Sequence, residues 1–184
     1  MKPLSVQLRA DLNALTGIAA NDLRILWRQF DTADAARDGL MEALPRLVTI
    51  YGAAAATLAS DYFDDMREQA AVRGRFTAIT AEPETGGLDV LARWAVGPMF
   101  QEKPDPASAL SLASGGAQKA IADAARLTVV QSSIQDPRSE GWVRVGHGEC
   151  DWCQQFLDGE VHGTDGYGFD AHNNCLCTAE PVYE

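Results

Sequence analysis

The stretch LPRLVTIYGAAAATLASDY, residues 44–62, decides the fold. Leu44, Tyr51 and Leu58 recur at seven-residue intervals, and Val48, Ala55 and Tyr62 repeat that interval four positions later. Side chains three and four apart share one face of an α-helix, so the double series makes an apolar seam for packing one helix against another. The run Ala53 to Ala56 adds small side chains that let a second helix approach closely. Upstream, Thr32 or Asp34 can cap this helical segment, which meets Pro45 at an end or a kink because proline removes an amide donor and crowds the preceding turn. Downstream, Met66 extends the stripe toward Arg67 and Glu68, and the pattern stops near Gly74.

On the N-terminal side, Leu8, Leu12, Leu15, Ala19, Leu23, Leu26 and Phe30 carry a helical stripe that predicts a helix over most of residues 5–30. Gly17 weakens its middle by about 1 kcal/mol relative to alanine, and Asn21-Asp22 could restart it, so one bent helix or two short ones both fit. On the C-terminal side, Pro83, Gly86 and Gly87 mark a loop over 77–87. Leu88, Leu91, Trp94 and Ala95 then suggest a helix over 88–97, closed by Pro98. After a turn through Pro104, Asp105 and Pro106, a long alanine-rich helix runs to about Ser133 with Leu110, Ala113, Ala117, Ile121 and Ala124 on one face. Gly115-Gly116 is its expected weak point.

Asp136-Pro137 ends the helices, and from Trp142 the texture changes to glycines, aromatics and cysteines. The fold class expected is mainly α: a helical body over residues 1–137 with a long heptad-patterned helix, followed by a small α+β Cys/His module over 138–184. Within that module Trp142 to Val145 alternates as one short strand, Val161 is placed on its partner, and Cys153 to Leu157 fits a single helical turn.

Composition narrows the function classes. With 46% hydrophobic and 22% charged residues the chain reads as soluble and globular. No stretch approaches the roughly 18 apolar residues of a membrane span. The N-terminus lacks the apolar core of a secretory signal, so export is not expected and the compartment is taken as reducing. The net charge is −11, and residues 144–184 hold only Arg144 against eight acidic residues, a local balance of −7. Nucleic-acid binding draws on basic surfaces that neutralise phosphate, so no specific nucleic-acid partner is expected.

All four cysteines fall in the last 35 residues, as Cys150-x2-Cys153 and, after eighteen residues, His172-x2-Cys175-x-Cys177. Cysteines two residues apart can turn both sulfurs toward one point, and a second pair from a later loop completes the tetrahedron that zinc takes with thiolate and imidazole ligands. Cys150 and Cys153 are the surest ligands, and His172, Cys175 and Cys177 compete for the other two places. A Cys150/Cys153 redox pair and unmetallated thiols are the rival readings. Five candidate ligands point to a closed, structural site rather than a catalytic one. His147-x-Glu149 resembles half of the zinc-deaminase signature, but Cys150 follows at once where that signature needs a long connection. Gly163 to Gly168 is a turn and not a phosphate loop, since no Lys-Ser or Lys-Thr adjoins it and it does not open a helix. Asp61, Asp64 and Asp65 are read as a solvated helix face, His147 and His162 as surface or loop residues, and Phe156, Tyr167 and Phe169 as a miniature core around the metal site.

The C-terminal run Gly141-Trp142-Val143-Arg144-Val145, Cys150-Asp151-Trp152-Cys153 and Gly168-Phe169-Asp170-Ala171-His172-Asn173-Asn174-Cys175-Leu176-Cys177-Thr178-Ala179-Glu180-Pro181 resembles the Mu F-like head morphogenesis proteins of tailed phages. Leu58 to Arg67 also resembles the helical part of versions from phages of actinobacteria, so the likeness covers roughly residues 40–184. The resemblance implies a minor capsid protein, bound to the portal or the major capsid protein inside the head near the portal vertex, passing through the host cytoplasm during assembly and able to repeat as a homo-oligomer in the particle. It maps the family's Cys/His motif onto Cys150, Cys153, His172, Cys175 and Cys177, with one structural Zn2+ per chain, and implies no enzyme. The alternatives are a zinc-dependent hydrolase or nuclease using the same cluster, with Glu149 or Asp151 as its acid or base, and a cytoplasmic adaptor.

Overall fold

A computed structural model describes residues 3–146, 151–157, 159–163 and 168–184. The protein is mainly helical, with a small C-terminal two-stranded sheet and a Cys/His cluster, as the sequence pattern predicts. Helix α1 spans Leu4–Trp27, α2 Ala33–Gln69, α3 Leu88–Ala95 and α4 Pro106–Gln135. A 3₁₀ turn, Gly97–Phe100, follows α3 and contains Pro98. Strand β1 is Ser139–Val145, α5 is the single turn Asp151–Gln154, and β2 is Thr178–Tyr183.

Helix α1 is unbroken. Leu8, Leu12, Ala19 and Leu23 are buried on the expected stripe, and Gly17 has no atom within 4 Å of where a Cβ would sit, so it lies outside the packed face. Asn21 does not restart the helix; its side chain accepts from Arg24 at 3.1 Å. In α2, Thr32 is the cap and accepts from the Ala35 amide at 3.1 Å. The helix then continues through Pro45 instead of ending there. Leu40, Leu44 and Val48 on either side of the proline are wholly buried. At about 1.5–3 kcal/mol for each such side chain, their burial outweighs the roughly 3 kcal/mol that an interior proline costs.

The seam in α2 works as expected along Leu44, Val48, Ala55 and Tyr62, all buried, while Tyr51 and Leu58 are half-buried at its border. Tyr51 reaches from there to donate to Asp22 of α1. Helix α4 lies against the seam and touches α1, α2, α3, β1 and β2. Its buried positions therefore run beyond the expected single face, from Ala109 and Ala113 through Ile121 and Ala125 to Val129 and Val130. Gly115 and Gly116 are no weak point in this setting. Both are buried within continuous helix, and a Cβ on Gly116 would fall 2.4 Å from Leu91 of α3. In α3 itself, Leu88, Ala92 and Ala95 face inward, but Trp94 is 53% exposed because the neighbouring helix meets the opposite face.

The loop over 77–87 is an extended strap laid along α4. The Ala81 amide donates to Thr128 Oγ1 at 3.0 Å and the Ile79 amide to Ser132 Oγ at 2.9 Å, hydroxyls one helical turn apart. Asp64, taken above for a solvated residue, accepts from the Ala78 amide at 3.2 Å. At the end of α4 the wholly buried Asp136 pairs with Arg67 of α2 at 2.6 Å and accepts from the Arg138 amide at 3.0 Å.

Strand β1 pairs antiparallel with β2, Trp142 opposite Pro181 and Val145 opposite Thr178. The main partner is thus the last stretch of chain and not the segment around Val161. That segment instead supplies one bridge, His162 with Trp142, through reciprocal backbone bonds of 2.9 and 2.8 Å. Trp142 and Ala179 join the same hydrophobic core as helices α1 to α4.

Two consequences can be measured. Gly141 has φ +134°, and a Cβ there would lie 2.2 Å from the His162 carbonyl oxygen. Gly141→Ala should therefore lose at least the ~1–3 kcal/mol of a strained backbone in a denaturant titration. Asp136→Ala, which strands a buried guanidinium, should cost about 3–5 kcal/mol, seen as a midpoint shift at unchanged slope.

Candidate metal centre

The site forms where α5 meets the loop that leads into β2. Cys153 lies on α5, whose single turn points its thiol inward and leaves it 2% exposed. His172 and Cys175 come from the loop, where the Cys175 amide donates to the His172 carbonyl at 3.2 Å and draws the two residues into one turn. Cys153 Sγ is 3.2 Å from His172 Nε2 and 3.6 Å from Cys175 Sγ. The donor atoms of all three lie within 4.8 Å of one another. Tetrahedral zinc with ligand bonds near 2.0–2.3 Å sets its donors about 3.5–3.8 Å apart, so this donor set fits such an ion.

A further feature favours metal ligation. His172 Nδ1 lies 2.6 Å from the Asn173 carbonyl oxygen. With Nδ1 donating there, the Nε2 lone pair is left facing the sulfurs, which is the usual support of a metal-bound histidine. None of Cys153, Cys175 and Cys177 is joined in a disulfide. The rival redox reading needs Cys150, which lies outside the described residues, as do His147, Glu149 and Tyr167.

Cys177 lies beside the three. Its sulfur lies against Gly146, where a Cβ would stand 2.6 Å away. The Cys175 thiol is pulled down to about 5, first by the hydrogen bond from Cys177, with the positive charge of Arg126 adding to it. The Cys177 thiol is pushed up, because it gives that bond and is buried. The pair thus sheds its first proton early and its second late.

Two buried arginines surround the loop. Arg126 of α4, 2% exposed, donates from Nε to the Cys177 carbonyl at 2.9 Å and from Nη2 to the Cys175 carbonyl at 2.6 Å. Its Nη1 pairs with Asp123 at 2.6 Å. Arg144 of β1 donates to the Asp170 carbonyl. Phe169 receives both guanidinium groups, Arg144 at 3.9 Å and Arg126 at 5.2 Å from its ring centre. Phe169 therefore belongs to the small core predicted around the site, whereas Phe156 is 39% exposed. His162 stacks on Trp142 at 4.5 Å, away from the donor set. The spacing argument missed both arginines; the available signal was Arg126 itself, four residues from Ala122 and from Val130 on a buried helical face.

Fold and site together define a mainly helical protein with a C-terminal Cys/His cluster able to bind a metal. A family model described as VG15 protein matches residues 3–184, and the chain belongs to that family, which points to a phage-encoded protein. No curated protein and no solved structure matches it. Among the described residues no helix is long and apolar enough to cross a membrane.

If the donor set holds a metal, His172→Ala and Cys153→Ala should each lose most bound zinc in elemental analysis of purified protein. The far-UV helical signal should stay near that of the unsubstituted chain, because α1 to α4 build their core without these side chains.

Proposed function

We propose that this protein is a structural minor capsid protein of a tailed phage, acting in head morphogenesis, and that its Cys/His cluster holds one structural zinc. Membership of a phage protein family supports the first half. The likeness of the C-terminal run to Mu F-like head proteins narrows it to the head interior, with the portal or the major capsid protein as partner. The observation that carries the second half is the convergence of Cys153, His172 and Cys175 on one point. Cys150 or Cys177 supplies the fourth ligand.

The zinc is structural in this reading. Its described donors are two thiols and an imidazole, two of them buried, and no carboxylate belongs to the set. When bound, zinc contributes cohesion between the two ligand segments, which is folding free energy and not catalysis. The residues of α2 and α4 supply a rigid body on which that end of the chain is mounted. The negative charge of the whole, −11, keeps it from adhering to packaged DNA.

Isolated phage particles and procapsids test the assignment. The protein should be found in both by mass spectrometry and should co-sediment with the portal when the two are co-expressed. Its absence from particles, with no association with portal or major capsid protein, overturns the head assignment.

A further inference from the structure

We propose that the outer face of α1 and α2 is a two-fold interface on which a second copy of this chain docks in reversed orientation. The inference stands apart from the metal and head readings and survives the failure of either.

Both helices turn a second stripe away from the core. On α1 it runs Asp11, Ala14, Ile18, Asn21, Ile25 and Arg28, the last just past the helix, with the three- and four-residue spacing of a single helical face. On α2 it runs Arg46, Ile50, Ala53, Thr57 and Asp61. Ile18, Ile25 and Ile50 stand 55%, 52% and 65% exposed. Large aliphatic side chains grouped on one wet face mark an interaction surface. The Thr57 hydroxyl donates to the Ala53 carbonyl at 3.0 Å and so needs no partner from outside.

The two helices run antiparallel, with Tyr51 of α2 bonded to Asp22 of α1 and Arg9 of α1 acting on the charge of Tyr62 of α2. The charges of the face are sorted along them. Arg28 and Arg46 mark one end, Asp11 and Asp61 the other, and the isoleucines lie between. Glu42, paired with Arg46 at 2.8 Å, is an acidic exception at the basic end. Arg28 and Asp61 enter no ion pair among the described residues. The midpoint between Asp11 and Arg28 falls at residues 19–20, that between Arg46 and Asp61 at 53–54, and the Tyr51 bond to Asp22 sets the two midpoints level.

A two-fold interface must be its own complement, residue i meeting j while j meets i. A face with acid at one end, base at the other and isoleucine between meets that condition when the second copy is reversed. Helix α1 then lies on α1 and α2 on α2, with Asp11 against Arg28 and Arg46 against Asp61. The same reversal sets Ile25 on Ala14, Ile50 on Thr57 and Ile18 beside Asn21, whose side-chain oxygen is held by Arg24 at 3.1 Å. Large side chains thus meet small ones, as ridges packing into grooves require. The net charge of −11 opposes association, but salt screens it beyond about 8 Å, which leaves the sorted ends to decide. The face measures about 25 Å by 20 Å. That is about 500 Å2 from each copy, near the lower limit for specific association, and implies a weak, concentration-dependent dimer.

Sedimentation equilibrium of the full chain across the micromolar range tests this, and the unsubstituted chain should pass from monomer to dimer. Ile25→Asp and Ile50→Asp should each weaken the dimer more than about tenfold, with the far-UV helical signal unchanged because both side chains lie outside the core. A charge exchange separates docking from misfolding. A chain with Arg28→Glu and Arg46→Glu, and another with Asp11→Arg and Asp61→Arg, should each be monomeric alone and dimeric when mixed. A monomer at every concentration, a dimer untouched by the isoleucine substitutions, or a mixture that stays monomeric overturns the inference. So does a monomer whose Ile25→Asp form loses a co-expressed portal, since the face then belongs to that partner.

Discussion

Close approach to α4 is the constraint on which everything else depends. A helix touched by three other helices, two strands and a strap has little room for large side chains. Its buried positions are accordingly mostly alanine, glycine, serine and threonine, with Ile121, Arg126, Val129 and Val130 as the larger exceptions. Small side chains bring less apolar area per residue, so the stabilisation must come from short interaxial distances and dense packing. The partners are cut to match: Gly52 of α2 leaves no space for a Cβ beside Pro83 of the strap, and Ala124 of α4 would lie 3.6 Å from that same Cβ. The hydroxyls of Thr128 and Ser132 serve two purposes at once, being small enough for the interior and able to satisfy strap amides that would otherwise be buried without partners.

That crowding also explains why the end with the Cys/His cluster is mounted where it is. Polar groups inside a packed interior must be matched, and α4 carries Arg126 with a guanidinium that Asp123 of the same helix matches through Nη1 alone. The loop carrying Cys175 and Cys177 provides the carbonyls. A charged side chain thus links the helical body to the ligand loop, with Phe169 covering its face. The connection is directional in a way that apolar contact is not, because a planar donor fork accepts few arrangements of its partners.

Much of this was legible from the residues. Periodicity located α1, the seam of α2 and the length of α4, since apolar spacing reports a helix face directly. Cysteine and histidine spacing brought out Cys153, His172 and Cys175, because metal geometry constrains sequence separation. What escaped was what depends on distant partners. Pro45 could be read as an end or a kink because local propensity was weighed without the burial of Leu40, Leu44 and Val48 around it, which carries the helix through. Strand β2 was missed because Pro181 and Glu180 dilute its alternation; with only one partner strand, β2 can carry a proline that a central strand could not. The strap bonds and the arginine contacts join residues 26 to 53 apart, and no local pattern encodes them.

The two-stranded sheet shows why a cluster of sulfurs belongs at this end of the chain. A lone pair of strands is marginal in water. Here one face gains support from Trp142 and Ala179 in the main core, while Cys153, Ala171, Cys175 and Cys177 form a separate small cluster with Phe169 packed on it. Four small side chains bury far less area than ordering the segments around them requires, given a backbone entropy cost of roughly 1–2 kcal/mol per residue. The helical body can restrain the part of that chain its arginines reach. The segment with Cys153 meets that loop through its sulfur, against His172 and Cys175, and in the metal-bound state proposed above coordination by thiolate and imidazole would add cohesion where apolar packing is thin.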